Sequence, residues 1–428
     1  MDDLVLLHGS PAQRGEQLGV CQKALLKKRV AEFRALCEKH HLGPTDLPDR
    51  ARQITTTLNV LGPEWLAEAR AGAAAAQVPA TSLMAITYPP EKVQPALLPK
   101  RANDSTAFGV SLDLSGTRAL LMKNCDGPDI NHHVISRAKS PGTFAYVALC
   151  EAADIGIKAF VNEAGLAGTF HIGPPVDDYT LTSIQPSLVL RHLCERAASC
   201  AQALSEFDAL QKRIGPGTPD KRGVCYLFAD GFGEVLLLEA TATRHQAHRV
   251  AEGFIVATNK FQLTDPTQSR LEPYRERALR IHLGAEPVTL ARAVAGSRLD
   301  QRAGGEKGVC DADTRASFLA ALGGGGKPSF ALVTLGSPLY NVPFPLFPHL
   351  GAPPEMVNGT AYEAALKSLD PSGELAENRA LYEEALTQKL GIVTPSTTTD
   401  QLTAIIREMG VLALVYAAFA SETLQPKA

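Results

Sequence analysis

The sequence is short of the features that mark many chemistries. Its formal net charge is −3 over 428 residues, so no excess of one sign attracts nucleic acid or an anionic membrane, and neither partner is expected. The eight cysteines (Cys21, Cys37, Cys125, Cys150, Cys194, Cys200, Cys225 and Cys310) form no C-x-x-C pair. They lie mostly inside apolar runs and read as buried, reduced thiols in a reducing compartment. Met1-Asp2-Asp3-Leu4 is acidic and lacks the basic start and apolar core of a secretory leader. A cytoplasmic location is therefore expected, with a removed leader left open. The most apolar run, Val411 to Ala420, is half of the roughly 20 residues a spanning helix needs, and reads as a packed C-terminal helix. There is no H-E-x-x-H, and neither glycine cluster, Ala303 to Gly308 or Gly323 to Gly326, sits in a P-loop or Rossmann pattern. No metal and no cofactor are expected.

What is present is an ordinary globular composition, 45% hydrophobic and 20% charged, long enough for two or three domains or one large layered fold. Residues 1–104 form one unit rich in Ala, Leu and charge. Leu18, Cys21, Leu25, Phe33 and Leu36 recur near helical spacing after Pro11. A second helix starts with Pro63 at its first position and runs through the Ala71 to Ala76 stretch. Pro89 to Arg101 reads as an irregular connection. From residue 105 the texture changes to short β-type runs: Ala107 to Leu112, Ala119 to Asn124, Thr143 to Leu149, Ile157 to Val161, Val224 to Ala229, Val235 to Ala240, Ala247 to Ala251 and Phe254 to Thr258. A helical interval, Ser187 to Ile214, divides them into two groups, which fits two stacked sheets with helices outside. Helices over Ala361 to Leu390 and Gln401 to Thr423, the second capped by Thr397 to Asp400, finish the chain.

The stretch around which the rest is organised is Asn103-Asp104-Ser105-Thr106-Ala107-Phe108-Gly109-Val110, followed by Leu120-Leu121-Met122-Lys123-Asn124-Cys125-Asp126. A hydroxyl residue opens one apolar run, Ser115-Gly116 reverses the chain, and a second apolar run ends at Asp126. Such a hairpin sets the start of one strand beside the end of the next, making Ser105 and Asp126 candidate neighbours.

This pair of runs resembles the nucleophile hairpin of N-terminal-nucleophile hydrolases, in the branch of isopenicillin N acyltransferase and the choloylglycine hydrolases. There, Cys-Thr begins the first strand and Arg-Asn-x-Asp closes the second. Here Ser105-Thr106 stands for Cys-Thr and Lys123-Asn124-Cys125-Asp126 for Arg-Asn-x-Asp, with two departures, Ser for Cys and Lys for Arg. Asn162-Glu163-Ala164-Gly165-Leu166 resembles the family's turn between strands, and Thr258-Asn259-Lys260-Phe261 its T-N-H-F, whose Asn supplies an oxyanion-hole amide. Gly9-Ser10-Pro11 with Gly15 and Gly19, and Glu68 to Tyr88, resemble its prosegment. Gly336-Ser337-Pro338 and Phe344 to Phe347 look like a segment of related amidohydrolases. The resemblance implies an α+β, four-layer αββα sandwich, with residues 1–104 a helical prosegment and 105–428 the catalytic part. A rival reading takes Leu4 to Gly9 as the strand-His-Gly oxyanion loop of α/β-hydrolases, but that fold needs a G-x-S-x-G elbow, which is absent.

The chemistry the resemblance implies needs few groups. An amide yields when its carbonyl is attacked, the attacking proton is accepted and the oxyanion is held. A serine at a new N-terminus combines the first two roles, since its α-amine has a reference pKa of about 7.7 to 8.0. The chain is therefore expected to cut itself between Asp104 and Ser105. Ser105 is then nucleophile and base, Asp126 orients the new amine, Asn259 holds the oxyanion, and Lys123 keeps the charge of the family's arginine without its fork. Arg315 is the candidate for a second family arginine, with Arg270 behind it.

The substrate class implied is a small amide, acyl-amino or peptide-like molecule, with water or an amine taking the acyl group. The other partner expected is the chain's own cleaved prosegment, and a homo-oligomer is left open. His245-x-x-His248 has helical ligand spacing but lies between strand-like runs and lacks the Glu. His132-His133 is either a pocket or a surface pair, and Asp177-Asp178 and Asp311-x-Asp313 read as loop acids. A second function class is an uncut chain using the same fold as a binding module.

Overall fold

The computed structural model describes residues 4–43, 46–87, 105–127, 132–178, 184–213, 222–264, 274–284, 287–299, 308–310, 314–324, 326–339, 341–348, 350 and 373–423. Asp104, Arg270, Asp311, Asp313 and the 89–101 connection lie outside the described residues, as do the side chains of His132 and His133.

The strands are β1 (Leu4–Leu7), β2 (Thr106–Val110), β3 (Ala119–Asp126), β4 (His132–Arg137), β5 (Tyr146–Glu151), β6 (Ala159–Asn162), β7 (Leu166–Pro175), β8 (Arg222–Asp230), β9 (Val235–Ala240), β10 (His245–Val250), β11 (Phe254–Ala257), β12 (Thr314–Leu322), β13 (Phe330–Leu335) and β14 (Phe344–Leu346). The helices are α1 (Pro11–Cys21), α2 (Lys23–Lys39), α3 (Asp46–Leu61), α4 (Pro63–Ala76), α5 (Ala80–Thr87), α6 (Leu112–Ser115), α7 (Pro186–Arg196), α8 (Cys200–Arg213), α9 (Tyr274–Leu283), α10 (Leu290–Gly296), α11 (Gly373–Gly391) and α12 (Thr399–Thr423).

Two sheets result. One has eight strands in the order β1-β4-β5-β6-β7-β8-β9-β10, and the other six in the order β11-β2-β3-β12-β13-β14. Every pairing is antiparallel except that of β1 with β4. The two stacked sheets expected from the sequence are present, but their membership cuts across the two groups of runs. The β2–β3 hairpin recruits β11 on one side and β12 on the other, because apolar hairpin edges pair with whichever strands return to them, not with sequence neighbours.

The sheets face one another. Ala107, Leu121 and Ala320 of the smaller sheet share a core with Val147, Ala167 and Leu237 of the larger, and residues of α9, α10, α11 and α12 join that core. A Cβ on Gly109 would lie 2.6 Å from Val235 of the opposite sheet, so the bare backbone lets the layers close here. The outer face of the larger sheet packs against α1, α3, α4, α5, α7 and α8 through Leu58, Trp65, Ala73, Leu188, Leu193 and Phe207. Pattern alone could not separate these two cores, since strands covered on both faces read as continuous apolar runs.

The N-terminal region is helical except for β1, which joins the larger sheet beside β4. The segment read as strand-His-Gly is a strand running into a helix cap. Ser10 and Gln13 form a capping box, with Pro11 at the helix start. Gly15 and Gly19 then serve close approach, because a Cβ on either would meet the α4 main chain at 2.1 and 2.3 Å. Buried ions lock this region down. Arg14 contacts Glu68 at 3.1 Å and Glu64 at 3.2 Å, and Arg191 contacts Glu68 at 2.8 Å and Glu195 at 3.0 Å. Arg137 pairs with Glu195 and lies 3.5 Å from Glu64, while the Trp65 indole donates to Glu195 at 3.0 Å. At the other end, Thr398 caps α12 reciprocally with Gln401. Among the described residues no helix is long and apolar enough to cross a membrane.

Candidate active site

The β2–β3 hairpin forms as expected, with Thr106 opposite Asn124 and Ala107 opposite Lys123. Between them the chain makes the short α6 and turns at Gly116 in the left-handed region, φ 70°. Ser105 precedes the first pair, and by strand alternation its side chain shares a face with Ala107, Lys123 and Cys125, the face turned to the larger sheet. It is half-buried.

Lys123 lies only 3% exposed. Its ammonium donates to the Phe170 carbonyl at 2.7 Å and lies 3.3 Å from Nδ1 of His171, both on β7. Burial holds its pKa down at about 8, with Cys125 and Asp126 pulling it up and Lys158 and Arg275 pushing it down. His171 is equally enclosed, and burial, then Lys123 and Arg275, push the imidazole well below its usual range, while the Ser105 main chain opposes that shift. Sequence reading missed this histidine, because Leu166–Pro175 was not taken for a strand. Read at period two, Ala167, Thr169 and His171 would have fallen on one face with a single titratable group among them.

Asn259 follows β11. Its side-chain amide donates to the Ile172 carbonyl at 2.8 Å, and its oxygen accepts from Arg275 at 3.1 Å. Ser105, Lys123 and Asn259 are thus gathered around residues 170–172 of β7, and Arg275 of α9 joins them, a residue the sequence did not single out. Lys260, next in the motif, pairs with Glu276 at 2.9 Å. Glu239 of β9 accepts from the main-chain amides of Gln262, Leu263 and Thr264, shaping the loop behind Asn259.

Asp126 closes β3 on the face opposite Lys123, where its carboxylate accepts from Thr314 at 2.7 Å. The pairing of β3 with β12 shifts register between Thr314 and Ala316, so Arg315 is the bulged residue, and its Nε is buried without a hydrogen-bond partner among the described residues. Asn124 donates to Ser297 at 2.8 Å and Val309 at 2.9 Å, tying the hairpin to the segment after α10. Asn162, by contrast, is structural. Its oxygen accepts from Leu166 across the turn and its nitrogen donates to Cys194 and Ala197 at the end of α7.

The metal-like features resolve locally. His245 and His248 both lie on β10, where a spacing of three sends side chains to opposite faces. Cys200, Asp230 and Glu234 converge, but Asp230 accepts from the main-chain amides of Cys200, Phe232 and Glu234, and Glu234 pairs with Arg249. Asp178 accepts from Thr241 and Thr243, each at 2.6 Å, which is a loop role.

No family profile and no curated protein matches the chain. Among solved structures it is similar to penicillin V acylase from Agrobacterium tumefaciens (14% identity, 57% of this chain and 86% of that chain, TM-score 0.37). It is also similar to the Caenorhabditis elegans ortholog of N-acylethanolamine-hydrolyzing acid amidase (13%, 50% and 91%, 0.35) and to conjugated bile acid hydrolase from Clostridium perfringens (12%, 56% and 92%, 0.36). All three belong to the N-terminal-nucleophile hydrolase superfamily. At these identities and overlaps the likeness carries no statement about activity.

Proposed function

We propose that the protein is an N-terminal-nucleophile amidohydrolase of four-layer αββα build, which frees Ser105 by cutting its own chain after Asp104. It then cleaves an amide bond in a small acyl-amino or peptide-like substrate. The observation that carries this reading is the placement of Ser105. A half-buried serine stands at the very start of a strand, on the inter-sheet face it shares with Lys123. A nucleophile that doubles as its own base needs its main-chain nitrogen freed as an amine, and the start of a strand lets the preceding chain be cut away without breaking the sheet.

In the precursor the Ser105 hydroxyl attacks the Asp104 carbonyl, the peptide C–N bond breaks, and the nitrogen takes the proton. The resulting ester is hydrolysed by water, leaving a free amine. In turnover the amine accepts the hydroxyl proton as Oγ bonds to the substrate carbonyl, and passes it to the leaving nitrogen. Asn259, pinned by Arg275 and Ile172, keeps one amide hydrogen for the oxyanion. Residues 1–104 remain attached as the prosegment fragment, held by β1 and the buried ion cluster.

The test compares Ser105→Ala, Ser105→Cys and the parent by intact mass and by acyl release from a panel of amides. The parent is expected as fragments of residues 1–104 and 105–428, the Cys form to cut at least as fast, and the Ala form to stay whole. Cutting that persists in Ser105→Ala would sink the reading and leave an uncut binding module in its place.

A further inference from the structure

The loop that carries Asn259 is held along its length by neighbouring strands of the larger sheet. His171 of β7 stands opposite Cys225 of β8, and Cys225 opposite Glu239 of β9, so the three side chains share one face. It is the face of Leu237, which belongs to the inter-sheet core. Each strand takes a different piece of the loop. On β7 the Ile172 carbonyl accepts from the Asn259 side-chain amide at 2.8 Å. On β8 the Cys225 thiol donates to the Lys260 carbonyl at 3.4 Å, and burial, then Glu239, push its pKa well above the usual thiol range, which keeps it a donor. Phe261, 2% exposed, packs over bare backbone, since a Cβ on Gly223 would come within 2.1 Å of its ring. On β9 Glu239 is fully buried and accepts from three consecutive main-chain amides, those of Gln262, of Leu263 at 2.9 Å and of Thr264 at 2.9 Å. Gln262 Nε2 then donates to the Val256 carbonyl at 2.8 Å, tying the loop back to β11.

We propose that Glu239 is a positioning residue of the oxyanion hole: by fixing the main-chain amides just beyond Asn259, it sets where the asparagine's free amide hydrogen points. This rests on the hydrolase reading, in which Asn259 holds the oxyanion. Ile172 and Arg275 hold the tip of Asn259, while Cys225 and Glu239 hold the main chain behind it. Three adjacent N–H donors call for an acceptor with two oxygens and no donor of its own, which an ionised carboxylate is. Its charge also makes those bonds stronger than neutral ones. The aim matters because an oxyanion donor has to stand about 2.7–3.1 Å from the developing charge, and a misplacement of about 1 Å costs on the order of 10² in rate. Glu239 acts through the loop and not on the reacting atoms, so its effect exists only while Asn259 is there to be aimed.

The test is a double-mutant cycle on the full-length, self-cut protein, read as p-nitroaniline release from straight-chain acyl and N-acyl-amino-acid p-nitroanilides. Glu239→Leu removes all three hydrogen bonds, and Glu239→Gln keeps an oxygen for Leu263 and Thr264 while losing the bond from Gln262. The Leu form is expected to lower kcat by about 10²-fold and the Gln form by about tenfold, each with KM within about twofold of the parent. In an Asn259→Ala background neither is expected to lower kcat further. A carboxylate that only held the fold together would cost the same in both backgrounds. Equal losses with and without Asn259, or a Leu form as fast as the parent, overturn the inference alone. Should the Leu form lose its circular dichroism spectrum, the same comparison with the Gln form decides. A parent that neither cuts itself nor releases p-nitroaniline overturns the hydrolase reading as well.

Discussion

Two buried polar clusters lie on opposite faces of the eight-stranded sheet, and they differ in how completely their atoms are paired. On the outer face, three arginines (Arg14, Arg137, Arg191) meet three glutamates (Glu64, Glu68, Glu195), and of these six side chains only Arg137 Nε is a buried atom without a hydrogen bond. On the inner side, Lys123 leans on a carbonyl and a neutral ring, and the Nε2 of that ring is buried with nothing but the Ser105 main chain against it. A cluster that satisfies itself holds structure together. One left short of partners has stored desolvation that another group, a new N-terminus or a substrate, can relieve.

The largest expected effect breaks the paired cluster. Removing one partner of a buried pair strands the others, at a typical cost of about 3–5 kcal/mol, so Glu195→Ala should shift the urea midpoint far down and release the N-terminal helices first. The same carboxyl sets an acid limit. Burial alone would raise its pKa, but Arg191 and Arg137 bring it below the usual carboxylate value. A carboxyl depressed in the fold adds stability above its unfolded pKa of about 4.3, and that contribution is lost as pH falls through the folded value. Urea midpoints measured from pH 7 downward should therefore converge for the parent and Glu195→Gln at low pH. A separation that does not narrow as pH falls below the unfolded value would refute the assignment.

On the inner side the loss should be of rate, not of stability. Asn259→Ala is expected to lower turnover by about 10²–10³, the usual cost of one oxyanion donor, with an unchanged circular dichroism spectrum. Normal kinetics on the true substrate would remove Asn259 from the site. Asp126→Asn tests whether this carboxylate, which accepts from Thr314 on the face of β3 opposite Lys123, acts on the Ser105 amine: slower turnover is expected if it does, and an unchanged rate would remove it from the site.

A smaller effect, of opposite sign, separates the two clusters most sharply. Burial pulls the Lys123 pKa to about 8, below the unfolded value of about 10.4. The buried charge therefore costs stability in full below pH 8, and the cost fades as pH rises from there to the unfolded value. Lys123→Met should raise the melting temperature by a few degrees at pH 7 while turnover falls, and the gain should shrink towards pH 10. A variant less stable than the parent at pH 7 would show that the ammonium's hydrogen bonds outweigh its desolvation. The smallest effect belongs to exposed pairs such as Arg52 with Asp49, where Arg52→Ala should cost less than about 1 kcal/mol.

Much of the site was legible because the residues that build it lie in consecutive short motifs. Ser105 to Asp126 is one hairpin, and its register follows from two apolar runs and a turn. Lys123 and Asn259 were singled out by the likeness of their motifs to those of a family, and both contact carbonyls of β7. His171 and Arg275 were not, since each is a lone polar residue whose meaning comes only from a neighbour far away in sequence. Arg315 was picked from the sequence, but its place as a bulge beside Asp126 depends on how β12 pairs with β3.

By itself the sequence determined some of the local elements: the helices after Pro11 and at Pro63, the β2–β3 hairpin, and the strands β5, β6, β8, β9, β10 and β11, while β4, β7, β12, β13 and β14 were not read as strands. Periodicity, caps and turn residues act within a few positions, so they can be read without the rest of the chain. Only the tertiary structure decided which strands share a sheet, that β1 joins the outer edge of the larger one, that six ions close over each other beneath the N-terminal helices, and that an imidazole from β7 meets a lysine from β3. Those outcomes follow from the burial of apolar faces and the pairing of strand edges across more than a hundred residues, and no local pattern encodes a partner at that distance.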